Sequence, residues 1–464
     1  MKNMKSKLMG GFLLGLVGCG GSNAPTSGLM LSEDTELEVA PSISQPSNRL
    51  DTAWLRTSNP FAGSVMYVNP DYTQYTEQSR RQVAPGSADA QLIDRASRLP
   101  TGIWLDSTAS LDGGAKNAGR LGLTGHLDAA LGQAATAQKD AAMLLVVYNL
   151  PNRDCAAAAS NGELSGKTGL QIYKHRYIDG IRKRLTAKPQ YAKVRVAVVL
   201  EPDSLPNLAT NGAIPSCSQV ATDHLYEEGV TYAIRRLGSL PNVAIYLDIG
   251  HSGWLGWPDN MQKVVTLYTG LIKAATADHR ASVRGLATDI ANYTPLQEPF
   301  VSASDQQLLS GPFYQYNPVF DELTYVKALQ EKFAAAGLSD LGFIIDTSRS
   351  GWKKVDHGRP IDGRIQRSNW CNVRSAGLGE RPQAEPHQVF KALDAFYYVK
   401  PPGESDGASA AQNAGNVPDA EGKRFDRNCD PSNPQLDAMD GAPSAGHWFH
   451  AQFMSLLRNA TPSL

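Results

Sequence analysis

The 464-residue chain carries almost no excess charge of either sign: 44 Lys and Arg face 45 Asp and Glu, for a formal net charge of −1. The two signs are interspersed, so neither a nucleic acid nor an anionic membrane surface finds an electrostatic footprint, and a neutral partner is expected. There is no HExxH and no second histidine at ligand spacing from His251, and a serine nucleophile elbow is not expected, which makes metal-assisted and serine-nucleophile hydrolysis weak readings. Among five cysteines there is no CxxC pair to frame a zinc site. No internal repeat or long low-complexity tract is present. No metal and no cofactor are expected.

Long apolar runs are scarce as well. The basic MKNMKSK is followed by LMGGFLLGLVG, too short to span a bilayer as a permanent helix and of the length of an export signal. Its end, Leu16-Val17-Gly18-Cys19, resembles the bacterial lipobox, which implies cleavage before Cys19 and lipid attachment to its thiol; an ordinary signal peptide is the alternative. Gly20 after that cysteine favours the outer over the inner membrane, and a membrane is met only through this anchor. The chain is expected to divide into a leader (1–19), a flexible Ser-, Pro-, Gly- and acid-rich tether (20–48) and one catalytic domain (49–464), acting as a monomer. Cys155, Cys217, Cys371 and Cys429 remain in an exported protein, an even number that suggests two disulfides. Three pairings are open. Joining Cys155 to Cys217 and Cys371 to Cys429 closes two loops of similar length, each worth roughly 4 kcal/mol by chain entropy.

The 42% hydrophobic fraction is enough for a well-buried core. From Pro60 onward strand-like and helix-like segments alternate, the pattern of an α/β fold with parallel strands. Strands are expected at 102–105, 143–148, 194–200, 243–247, 285–290, 341–345 and 395–399, one fewer than the standard barrel. Leu170, Tyr173, Tyr177, Ile181 and Leu185 form a helical core stripe. At their C-terminal ends the strands carry Asp106, Tyr148, Glu201 with Asp203, Asp248, Asn292, Asp346 and Lys400, the face on which a βα barrel gathers its functional groups. Residues 401–446 have no period and read as a lid or binding loop.

Two of the strand ends carry the chemistry. Cleaving an acetal takes one protonated carboxylic acid for the leaving oxygen and a second group that activates water or forms a covalent intermediate. Asp154 in VVYNLPNRDCAAAASNG and Asp203 in VVLEPDSLPNL fit that requirement, because repulsion and burial raise the pKa of one carboxyl beside an ionised other. Tryptophans stack on the apolar faces of sugar rings, and Trp104, Trp254, Trp257 and Trp370 all adjoin strand ends or loops. His251 is expected to contact sugar or orient Asp248, and Arg153 and Arg349 to pair with Asp154 or Asp406.

These two strings, with LDIGHSGWLGWP, Asn369-Trp370-Cys371-Asn372, VKPPGESDG and GHWFHAQF, resemble the glycoside hydrolase family 6 cellulases over nearly everything from Asn59 onward. The resemblance implies a distorted seven-stranded parallel β/α barrel with its site at the C-terminal ends of the strands. It implies Asp203 as catalytic acid and Asp154 as the neighbour that raises its pKa. Asp406 corresponds to the proposed base, with a water chain near Asp154 and Ser160 as the other route. Tyr148 is similar to the ring that crowds the sugar at the cleavage point. Lys400 and Glu404 would bind hydroxyls on the non-reducing side, Trp104, Trp254 and Trp370 would form subsites, and Asp106, His251, Asn292 and Trp257 complete the expected sugar contacts. The family inverts configuration, so the carboxylates should stand roughly 6.5–9.5 Å apart.

Residues 156–169 and 406–429 look like the two roofing loops of exo-acting members, and IDGRIQRSNWCN, GLGERP and KRFDRNCDP resemble bacterial exocellulases. Release of cellobiose from the non-reducing end of a cellulose or other β-1,4-glucan chain is therefore expected. An endo-acting glucanase is the nearest alternative. A surface glycan-binding lipoprotein would be expected to have lost Asp203 or Asp154, and both are present.

Overall fold

A strand buried on both faces reads as a near-continuous apolar run, and AAMLLVV and RVAVVL are two such runs. The computed structural model describes residues 57–299, 301–352, 364–386 and 390–464, without the side chain of Leu308. The leader, Cys19, the tether and residues 49–56 lie outside the described residues, as do 361–363 of the IDGRIQRSNWCN string. Nine strands are found among the described residues: β1 (Val65–Met66), β2 (Ile103–Leu105), β3 (Ala141–Val147), β4 (Arg195–Leu200), β5 (Val243–Asp248), β6 (Gly285–Thr288), β7 (Gly342–Asp346), β8 (Gln383–Ala384) and β9 (Leu393–Tyr397).

β2 pairs with β3, and β3, β4, β5, β6, β7 and β9 succeed one another, all in parallel. A parallel bridge from Thr101, before β2, to Tyr398, after β9, draws the two ends of the sheet together. The Trp104 indole adds a bond to the Val399 carbonyl at 2.9 Å. These seven strands are the seven expected from the sequence, and they form a nearly closed barrel. The two-residue β1, parallel to β3, and β8, antiparallel to β9, were not expected; each is too short to show a period.

Period-2 alternation sorts the side chains. Met143, Leu145 and Val147 of β3 and Val196, Val198 and Leu200 of β4 face the surrounding helices. Ala142, Leu144 and Val146, with Ala197, Val199, Ala244, Ala287 and Ala395, fill the barrel interior. The five alanines leave room inside the ring for Tyr246 and Tyr397 of the same cluster. Helices at Leu123–Ala137, Leu225–Leu237, Pro258–Thr276 and Glu322–Ala335 form crossovers, and the 166–185 segment is helical with a π turn at Tyr173–Ile178. The stripe from Leu170 to Leu185 is buried as its spacing required. No helix among the described residues is long and apolar enough to cross a membrane.

Of the three possible cysteine pairings, Cys155–Cys217 and Cys371–Cys429 form, spanning 62 and 58 residues. At the opposite mouth of the barrel Asp394 accepts from Tyr246 Oη at 2.7 Å and from Arg284 Nη2 at 2.7 Å. Backbones approach closely here: a Cβ on Gly285 would lie 1.9 Å from the Gly342 carbonyl oxygen. No rotamer can relieve a clash with main chain. Gly285→Ala should therefore lower unfolding free energy by ~1–3 kcal/mol in a denaturant titration. Gly132→Ala, at an exposed position of the helix Leu123–Ala137 with nothing within 4 Å, should leave stability unchanged or raise it by up to ~1 kcal/mol.

Candidate active site

The turns after the strands open onto a cavity of ≈510 Å³. Every residue singled out from the sequence for catalysis or sugar contact lines it: Trp104, Asp106, Tyr148, Asp154, Ser160, Asp203, His251, Trp254, Trp257, Asn292, Trp370, Lys400, Glu404 and Asp406. Chain direction explains why. Parallel strands deliver their last residues to the same face, so groups far apart in sequence converge.

The acidic residues at these strand ends divide into two classes. One class clasps backbone. Asp346 accepts from the amides of Ser348, Val399, Lys400 and Ala291 at 3.0–3.2 Å, tying the ends of three strands. Glu201 accepts from Asn149 and Leu150 amides, and burial pushes its pKa up to about 7. Asp248 accepts from the amides of Asp203 at 2.8 Å and Gly250 at 3.3 Å, and burial raises it to about 7.

The other class faces the cavity. Asp203 comes directly after the Glu201-Pro202 turn with φ +64°, and Glu201 itself has φ +51°, a left-handed pair that L side chains seldom adopt. Its carboxyl is half-buried and receives no hydrogen bond among the described residues. Burial raises its pKa well above the ordinary aspartate range, and the neighbouring charges of Asp154 and then Asp248 push the same way. Asp154 was expected to be the main cause; desolvation is the larger one.

Asp154, also left-handed at φ +52°, is buried and accepts from Tyr148 Oη at 2.7 Å and from Ser160 Oγ. Tyr148 stands edge-on to Trp104, with ring centroids 5.4 Å apart. Arg153 does not pair with Asp154 or Asp406. Its guanidinium covers the Tyr148 ring at 4.2 Å and donates to the carbonyls of Ser160, Asp106 and Tyr148. Arg349 does pair with Asp406, Nη1 to Oδ1 at 2.5 Å, while Oδ2 accepts from Tyr293 Oη at 2.6 Å and the Asn372 amide at 2.9 Å.

A group of opposite charges closes the side near Trp104. Burial alone would raise Asp106, but Lys423, Arg120 and Arg153 outweigh it and hold the carboxyl low. Lys400 lies 5.2 Å over the Trp104 ring, and burial lowers its pKa despite Asp406 and Glu404. Glu404 is raised, first by burial. Arg120 and Lys423 were not singled out: GAKNAGRLG has no period to place it, and Lys423 sits in a loop.

His251 touches Thr294 Oγ1 at 3.0 Å rather than orienting Asp248. Burial, with Arg367 and Arg364 nearby, lowers its pKa to about 3, so the ring is neutral. It converges with Asp289 and Glu322 within 4.8 Å, a geometry open to a metal ion, but the positive charge of Arg367 acts on the same cluster. Gly403-Glu404-Ser405-Asp406-Gly407 has the GxSxG spacing, contrary to the expectation of no such elbow. Ser405 is nevertheless fully buried and donates to the Pro443 carbonyl at 2.7 Å, with no helix directly after it.

Residues 156–169 and 406–429 meet along the cavity. The Ala158 amide donates to Asp426 Oδ2 at 2.7 Å, the Arg424 amide to the Ala158 carbonyl at 3.3 Å, and Gly422 fits against Gly162 where a Cβ would come within 2.3 Å. Ala156, Ala157 and Ser160 wall the cavity from one loop, Lys423 and Asn428 from the other. Each disulfide fixes the foot of one loop.

The family model described as glycosyl hydrolases family 6 matches residues 61–460. Exoglucanase A of Cellulomonas fimi is 41% identical over 439 residues, 88% of this chain and 49% of that protein, so the chain spans about half that relative's length. A probable 1,4-beta-D-glucan cellobiohydrolase C of Aspergillus niger is 39% identical over 88% of this chain and 79% of its own. Among solved structures, the catalytic domain of Cellulomonas fimi Cel6B superposes with a TM-score of 0.79 at 39% identity, covering 88% of this chain and 96% of that one. Cellobiohydrolase II (Cel6A) from Humicola insolens, in complex with glucose and cellotetraose, gives a TM-score of 0.73 at 35% identity over 88% of this chain and 100% of that one. With the family match spanning nearly all of the barrel and the resemblance carried by the strand-end motifs themselves, this chain belongs to glycosyl hydrolase family 6.

Proposed function

We propose that the protein hydrolyses β-1,4-glucosidic bonds of cellulose and cello-oligosaccharides with inversion, releasing cellobiose from the non-reducing end. The observation that carries this reading is Asp203: a desolvated carboxyl with no hydrogen-bond partner among the described residues, raised by burial and by Asp154, in a cavity lined with tryptophan. In its protonated form, which burial and Asp154 favour, it donates to the glycosidic oxygen as the bond breaks. Relatives named exoglucanase and cellobiohydrolase support the same chemistry.

The other groups take roles that their bonds permit. Ser160 gives its hydrogen to Asp154, so its oxygen can accept from a water and pass the proton on. Asp406 has both oxygens engaged by Arg349, Tyr293 and the Asn372 amide, which suits a fixed negative charge near an oxocarbenium-like sugar better than a proton acceptor. Tyr148 and Trp104 shape the ring at the cleavage point, and Lys400 and Glu404 hold hydroxyls beyond it. The two joined loops favour threading a chain end over gripping its middle. Lipid attachment at Cys19 belongs to the same proposal, and the mass of the mature amino terminus reads it out.

Asp203→Asn should cut kcat by ~10²–10⁴ with little change in KM on a reducing-sugar assay. Because a carboxyl with a raised folded-state pKa costs stability once pH exceeds its unfolded value, the same variant should melt higher than the parent at pH 7. That gain should vanish below about pH 4, where both states are protonated; an unchanged melting difference across pH would contradict the assignment. In Asp154→Asn, loss of the neighbouring negative charge should move the basic limb of the residual pH–rate profile to lower pH, and a fixed limb would remove Asp154 from the coupling. On a soluble cellulose derivative, reducing sugar should appear with little loss of viscosity; a steep early fall would favour the endo alternative.

A further inference from the structure

Trp254 and Trp257 come after β5, which lies three strands around the ring from β2 and so across the barrel from Trp104. A line of contacts runs outward from Asp203 on this side. The helix Ser204–Thr210 begins directly after Asp203, and its last residue accepts from the Trp254 indole at 3.0 Å. Three residues on, the Trp257 indole donates to the Gln315 carbonyl at 2.9 Å. The next residue is Tyr316, 75% exposed, one of two large hydrophobic side chains standing out among the described residues.

Nothing about this position is slack. Gln315 and Tyr316 have φ of +48° and +59°, a conformation that a bulky residue holds only when its surroundings impose it. The Tyr316 amide donates to the Leu309 carbonyl at 2.9 Å, the Gln315 amide to Gly311 at 2.8 Å and the Asn317 amide to Tyr314 at 2.9 Å. Asn317 is fully buried and donates to the Ser252 carbonyl at 2.8 Å, which locks the turn to the segment that carries both tryptophans. An exposed aromatic on a fixed and strained backbone, one residue from the bond that orients a cavity-lining indole, is built to present its ring.

We propose that Tyr316 is a sugar-stacking platform outside the cavity mouth, receiving a glucosyl unit of a β-1,4-glucan chain that has already passed Trp254 and Trp257. A glucose ring offers an apolar face, and an amphipathic phenol covers it at little entropic cost. The proposal rests on the glucanase reading of the site. It adds a residue that discriminates by chain length, since only a long chain reaches that far.

The test is a length series of cello-oligosaccharides from three to six units, plus amorphous cellulose, assayed with the parent, Tyr316→Ala and Tyr316→Phe. An aromatic stacking contact corresponds to ~2- to 12-fold in affinity. Tyr316→Ala should therefore raise KM by that factor on the longest substrates with kcat unchanged, and leave the trimer untouched. Tyr316→Phe should behave as the parent. Equal losses on short and long substrates, no change on any, or a Phe variant as impaired as Ala would each overturn the platform. If the parent hydrolyses none of the series, the glucanase reading itself fails, an outcome distinct from any of these.

Discussion

The site depends on buried carboxylates that satisfy main-chain amides where parallel strands end. Leaving the last N–H groups of a strand unpaired in a dry interior costs about as much as a lost hydrogen bond for each. Asp346 answers four of them, from three different strands, and Glu201 and Asp248 do the same between β3, β4 and β5. These clasps help to fix the turns that carry Tyr148, Asp203 and Lys400 relative to one another.

Asp203 stands apart from that network. Its amide is held by Asp248, so its backbone is fixed, yet its carboxyl receives no hydrogen bond among the described residues. Desolvation without compensation is unfavourable for an ionised group and therefore favours the protonated form. Asp154 and Asp406 receive the opposite treatment: hydroxyls, an amide and a guanidinium surround them. Three aspartates in one cavity thus acquire different chemistry from different neighbours. The left-handed backbone at Asp154 and Asp203 belongs to the same arrangement, in which local unfavourable conformations persist because the barrel over-determines them.

Much of this is legible in the residues alone. Apolar runs that stop at acidic or polar residues locate all seven barrel strands, and the VVYNLPNRDC and VVLEPDSLPNL strings mark Asp154 and Asp203. What fails are statements about which side chain meets which. Arg153 was expected to pair with a carboxylate but stacks on Tyr148 and binds carbonyls, and of the two roles expected for His251, sugar contact or orienting Asp248, the second gives way to a bond with Thr294. Arg120 drew no notice and Lys423 entered only as part of the KRFDRNCDP string, since residues in aperiodic loops reach the site only through the path those loops take.

Consecutive residues suffice to dictate the order of strands and helices, the face on which functional groups gather and the residue types available there. These are local properties: period, strand length and the residues at a strand's end can be read within a short stretch of chain. The folded arrangement settles the rest: which carboxyl is starved of partners and which is saturated, which cysteines join, and that residues 156–169 and 406–429 close on each other. Desolvation and hydrogen bonding depend on groups brought together from across the chain, and no stretch of sequence contains its own surroundings.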